Sequence, residues 1–161
     1  MKFKEIFEGN NSAFGQLILS GSTNEKGKAD GKAFIKRQPV TDDLWEDHIA
    51  GKDPALGVIP INENNECKWG CIDIDSYAEF DHKKLINQIG NLKLPLMVCR
   101  SKSGGAHVFL FTKEYVSASL MQDKLNEIRS VSQSRSKRHI FEFSLQKSMV
   151  NLKISCIIFR F

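Results

Sequence analysis

The sequence holds no apolar run near the roughly 18–20 residues that a helix needs to span a bilayer, so a helical membrane protein is not expected. Its opening stretch, MKFKEIFEGNNSAFG, lacks the long apolar segment of a signal peptide. Cysteine is scarce. The 4 that occur (Cys67, Cys71, Cys99 and Cys156) form no CxxC pair, which argues against both a disulfide framework and a zinc ribbon. A reduced, cytoplasmic compartment is the expectation. No charge of one sign dominates: 23 Lys and Arg stand against 19 Asp and Glu, a net +4. That balance permits a nucleic-acid partner without arguing for one. No internal repeat is evident.

What is present suffices for one compact domain: 161 residues, 41% hydrophobic and 26% charged, the composition of a globular chain rather than a disordered one. Residues 21–37, GSTNEKGKADGKAFIKR, are rich in Gly, Lys and Asn and read as a loop or irregular ribbon. Thr41 then stands where it would cap a short helix carrying Leu44, Trp45 and His48, which Gly51 ends. ALGVIPI and KWGCIDIDSY read as strands with the turn NENNE between them. Residues 80–89 place Phe80, Leu85, Ile86 and Ile89 at helical spacing. LPLMVCR and AHVFLF form a hairpin around SKSGG. A longer helix over about 114–131 sets Val116, Leu120, Met121, Leu125 and Ile128 on one stripe. SQSRSKR is a basic linker and HIFEF a final strand. The expected fold is α+β: a mixed or antiparallel sheet with helices packed on one face.

Two segments carry chemistry. In the strand Cys71-Ile72-Asp73-Ile74-Asp75, alternate residues share a face about 6.6 Å apart, so Asp73 and Asp75 point one way and the isoleucines the other. Adjacent carboxylates repel unless a cation lies between them. No Lys or Arg occurs between Trp69 and Asp81 to supply one. A hard divalent cation, Mg²⁺ or Mn²⁺, suits such oxygen donors. The competing reading is a strand end whose aspartates are solvated and cap a turn. The second segment is Arg100-Ser101-Lys102-Ser103-Gly104-Gly105-Ala106-His107. Its hydroxyls, backbone amides and cations are suited to phosphate, and His107 would share a strand face with Phe109 and Phe111.

ALGVIPINENNECKWGCIDID followed by PLMVCRSKSGGAHVFLF resembles the archaeo-eukaryotic primase superfamily, most closely the primase domain of TOTE conflict systems and related phage and plasmid primase-polymerases. The lead-in LWEDHIAGKDPALGVIPI is similar as well, and the likeness runs from about Leu44 to Leu125. It implies an RRM-like catalytic module within a single domain over 1–161: a lead-in over 1–43, the catalytic core over 44–143 and an atypical tail over 144–161. The implied activity is metal-dependent, template-directed nucleotidyl transfer in replication or in a mobile-element conflict system. The implied partners are nucleoside triphosphates, a single-stranded DNA template and a helicase.

Carried onto this sequence, the resemblance makes Asp73 and Asp75 metal ligands and His107 a contact to the incoming triphosphate. Arg100, Ser101, Lys102, Ser103 and Gly104 lie beside it as nucleotide-binding positions. The family's third carboxylate, on a later strand, has its candidate in Glu142 of HIFEFSLQKSMV, although the FPKQ sequence usual there is missing. That departure and the apolar ending ISCIIFRF support an alternative, a truncated and inactive remnant that binds nucleotide or nucleic acid. A metal-dependent nuclease is a weaker one.

Other features have plainer readings. Cys67 and Cys71 read as buried thiols, and Trp45 and His48 as anchors of their helix. His82, beside Lys83 and Lys84, reads as solvated. Arg135, Lys137, Arg138 and His139 are either ordinary exposed linker charges or contacts to template or triphosphate, and Lys26, Lys28, Lys32, Lys36 and Arg37 are either exposed charges or contacts to a nucleic-acid backbone.

Overall fold

A computed structural model describes residues 2–23, 29–75, 80–101, 104–134, 150–153 and 157–158. In chain order the elements are α1 (Lys2–Ile6), β1 (Phe14–Thr23), β2 (Ala29–Lys36), α2 (Asp42–Ile49), β3 (Ala55–Val58) and β4 (Glu66–Ile74). There follow α3 (His82–Asn91), β5 (Leu96–Arg100), β6 (Ala106–Ser117), α4 (Ala118–Ser134), β7 (Val150–Lys153) and β8 (Ile157–Ile158). The chain divides into two compact units at Cys67/Lys68, with β8 belonging to the first. The α+β class is as expected, but the described strands form two four-stranded sheets where one was anticipated.

In the first unit the sheet order is β2-β1-β3-β8, with antiparallel pairing throughout. The segment expected to be irregular is largely a hairpin arm: Phe14 pairs with Lys36 and the register holds to Leu19 opposite Gly31. Gly31 is required there. A Cβ would stand 2.7 Å from the Ile18 carbonyl oxygen, so the glycine is a close-approach residue rather than a sign of disorder. Thr41 holds the N-cap position of α2 in extended conformation but makes no side-chain capping bond. Trp45 and His48 are buried, as expected of anchors, and His48 Nδ1 accepts the Leu56 N–H at 3.2 Å, tying α2 to β3. Gly51, at φ +73°, closes the helix end.

The second unit runs β4-α3-β5-β6-α4-β7, with sheet order β5-β6-β4-β7. This is the βαββαβ arrangement of RRM-like folds, in which the first strand lies centrally between the third and the fourth. β5 and β7 pair antiparallel to β6 and β4 respectively. The contacts of Thr112 with Lys68 and of His107 with Asp73 fall in numbers on one strand as they rise on the other, so β6 and β4 run antiparallel too.

One boundary differs from the periodicity. α4 begins at Ala118, not near residue 114, because β6 continues to Ser117. Two contacts hold that extension: Thr112 Oγ1 donates to the Lys68 carbonyl at 3.1 Å, and the Lys68 ammonium lies 4.5 Å from the Tyr115 ring centre. Ser117 then caps the helix by accepting the Leu120 N–H at 3.2 Å. Val116 therefore lies in the strand, Leu120 is exposed, and Met121, Leu125 and Ile128 form the buried stripe.

Candidate active site

Alternation along β4 separates its two faces. Gly70, Ile72 and Ile74 point one way, and a Cβ on Gly70 would stand 2.8 Å from both Leu125 and Met121, so α4 covers this face at close range. Trp69, Cys71 and Asp73 point the other way, with Asp75 next in that series just past the strand end. Ile72 and Ile74 are buried, whereas Asp73 and Asp75 are only half-buried. The paired carboxylates thus share a face that solvent reaches.

Across the sheet, β6 brings His107 to the same place. Its Nε2 lies 3.3 Å from Asp73 Oδ1, with side-chain exposures of 21% and 16%. A carboxylate and an imidazole this close, both largely shielded from water, attract strongly whenever the ring is protonated. The ring is braced from below. His107 meets Phe109 edge-on at 6.1 Å, Phe109 stacks with Phe111 at 5.9 Å, and Trp69 meets Phe109 edge-on at 6.0 Å. Phe109 and Trp69 are fully buried, so the imidazole stands on a rigid aromatic wall.

β5 completes the neighbourhood. Cys99 pairs with His107 in register and so shares its face. Burial pushes the Cys99 thiol up, which keeps it protonated at neutral pH and unsuited to act as a thiolate ligand or nucleophile. Cys67 and Cys71 are buried, as expected. Arg100 pairs with Ala106, so the pleat directs it to the opposite face from His107.

The turn between β5 and β6 is closed by its own backbone. Ser101 N–H donates to the Gly105 carbonyl at 2.9 Å and Gly104 N–H to the Ser101 carbonyl at 3.1 Å. Gly104 takes φ +90°, a region that side-chain-bearing residues rarely enter. The amides of Ser101 and Gly104 are therefore committed within the turn. Ser101 itself is buried. Lys102 and Ser103 lie outside the described residues.

His82 is not solvated. It is half-buried, and its Nε2 stands 2.9 Å from the Gly105 carbonyl oxygen, in a chain segment far from the turn. Nothing in the spacing of the sequence relates residue 82 to residue 105. The one local clue is Phe80, whose ring meets the His82 ring edge-on at 4.9 Å.

Glu142, the HIFEF strand and the basic residues 135, 137, 138 and 139 lie outside the described residues, as do Lys26 and Lys28. The edge position beside β4 is taken by β7, which places Asn151 in register with Asp73. Among the described residues, no cluster of three or more His, Cys, Asp or Glu is placed to hold a metal ion. Lys32, Lys36 and Arg37 are exposed, with the Lys36 ammonium 5.3 Å from the Phe34 ring centre. Among the described residues, no helix is long and apolar enough to cross a membrane.

No curated protein is similar enough to the chain to count as a relative. A family match does exist, and it reaches well beyond the segments that carry the motifs: residues 11–147 match the archaeo-eukaryotic primase domain of TOTE conflict systems. That span takes in both the β4 carboxylates and the turn with His107, on an RRM-like second unit, and the chain belongs to this primase family.

Proposed function

We propose that the chain is a metal-dependent, template-directed nucleotidyltransferase that joins nucleoside triphosphates on a single-stranded DNA template. The observation that carries this reading is the convergence of Asp73, from β4, and His107, from β6, at 3.3 Å, with Asp75 on the same face. Two half-buried carboxylates are hard oxygen donors, and Mg²⁺ is commonly held by one or two carboxylates together with substrate phosphates. Asp73 and Asp75 are thus the residues that would hold Mg²⁺ or Mn²⁺. The metal would lower the pKa of an attacking 3′-hydroxyl and neutralise charge on the phosphates.

The chain's own groups have separate tasks. His107, fixed by Phe109, presents Nε2 where a protonated ring can donate to a phosphate oxygen. The Ser101 position closes the turn that leads into β6 and sets where that histidine begins. Asp73 and His107 stand within ion-pair distance of each other. Template-directed incorporation of a labelled nucleotide with Mg²⁺ or Mn²⁺ tests the reading. Asp73→Asn and Asp75→Asn should each lower the rate by at least about a hundredfold, the scale on which removing a preorganised electrostatic group acts. Wild-type rates in both variants would overturn it.

The register of β7 favours a second reading. Asn151, not an acidic residue, stands opposite Asp73 on the adjoining strand. A chain of this family lacking a third carboxylate would bind a nucleoside triphosphate without turning it over. Saturable triphosphate binding with no incorporation under any metal would select that reading.

A further inference from the structure

The Gly105 carbonyl oxygen, in the β5–β6 turn, has two neighbours that can donate to it. It receives Ser101 N–H at 2.9 Å, which closes the hairpin, and stands 2.9 Å from His82 Nε2, which comes from the first turn of α3. A carbonyl can only accept, so His82 must carry its hydrogen on Nε2. One neutral tautomer and the protonated ring both meet this requirement.

His82 is itself fixed from two sides. Phe80 packs edge-on against its ring, and α3 is anchored at its start by Asp81, whose carboxylate accepts the Lys84 N–H at 2.9 Å. The imidazole is therefore a strut between a capped helix and the backbone of the turn. Two residues beyond Gly105 stands His107. Any slackness at Gly105 moves the start of β6, and with it the distance between His107 and Asp73.

We propose that His82 is a positioning residue: through the Gly105 carbonyl it holds the β5–β6 turn, and so His107, in the place from which a triphosphate is bound. The second half of that statement rests on the nucleotidyltransferase reading; the first half does not. His82 touches no reacting atom. Its effect falls on the affinity for the nucleotide rather than on the chemical step.

Two measurements separate the halves. Amide hydrogen exchange at Ser101 and Gly104 reports the turn with no nucleotide present. Titration with a nucleoside triphosphate and Mn²⁺, together with KM and kcat for incorporation, reports the consequence. His82→Ala should speed exchange at both amides about tenfold, the scale of one lost hydrogen bond. It should weaken triphosphate binding and raise KM by a similar factor, with kcat within about twofold. His82→Gln, whose side-chain amide can again donate to the carbonyl, should recover most of both effects, which a general packing defect would not.

Unchanged exchange in His82→Ala overturns the strut. Faster exchange with unchanged affinity overturns its role in binding. Should the wild type bind no triphosphate, the nucleotidyltransferase reading and the role in binding fall together, while the exchange rates still decide whether His82 holds the turn.

Discussion

The two faces of the second sheet are built from the same strands and do opposite things. On one, Gly70, Ile72 and Ile74 lie under α4, with Met121 and Leu125 fully buried against a glycine that leaves no room for a methyl group. On the other, the residues interleaved with these are Trp69, Cys71, Asp73 and Asp75, facing His107 and its aromatic supports. Because side chains alternate with a period of two, one strand serves packing and chemistry without either compromising the other. The division also has a direction along the strand. Trp69 and Cys71 are fully buried, and polar groups take over only towards the C-terminal end of β4, where solvent reaches the face. Ligand sites of sheet proteins gather at strand ends for the same reason: a charged group set deeper would lose its hydration with nothing to replace it.

The largest effect should come from emptying the packed face. Leu125→Ala removes a fully buried side chain in contact range of Gly70 and should cost about 2–5 kcal/mol, the range for a large-to-small change in a core. Asp73→Asn, isosteric and on the other face, should cost less than that while lowering incorporation at least about a hundredfold. Urea unfolding followed by Trp69 fluorescence, with Trp45→Phe as the common background, reads the second unit. Equal losses in the two variants would break the comparison. A smaller step should come from Ser117→Ala, which removes the acceptor for Leu120 N–H and should cost about 1 kcal/mol. Ser117→Asp should restore it; stability unmoved by both changes would show that α4 starts elsewhere.

How much of this was legible follows from the range of each interaction. The site strands were, because their information is local: the period-two pattern of CIDID and of HVFLF assigns each side chain to a face with no knowledge of partners. The hairpin of β1 and β2 was not. Its glycines and lysines have the composition of a loop, and the need for Gly31 appears only once β1 lies alongside and brings the Ile18 carbonyl oxygen against it. The start of α4 failed differently. Val116 and Leu120 sit at helical spacing by coincidence, while the deciding contacts, of Thr112 and Tyr115 with Lys68, link positions more than forty apart in the chain. Ser117 was the local signal that could have corrected it. β7 shows the same limit. The alternation in VNLK is visible, but nothing in it says that its partner is β4 or that Asn151 falls opposite Asp73. His82 is the clearest case, a histidine whose neighbours in sequence are lysines and whose partner in space is a backbone carbonyl in another element.

Cys99 sharpens the comparison with the smallest effect, because it belongs to the site face by register and to the packed one by environment. It stands opposite His107, yet burial raises its thiol above the ordinary value of 9.0. Well below that value the native and unfolded chains both keep this proton, and the thiol contributes no slope to stability. Above it the unfolded chain ionises first and binds fewer protons than the native one, so stability falls as pH rises through the native pKa. Urea midpoints for wild type and Cys99→Ala should therefore differ by a constant amount near neutral pH, and the wild type should lose ground to the variant as the pH rises through and beyond the ordinary thiol value of 9.0. Cys67 and Cys71 are present in both chains and cancel in the difference. A difference that stays constant on either side of pH 9.0 would mean that Cys99 ionises as freely as in the unfolded chain, and that this edge of the site is wet rather than packed.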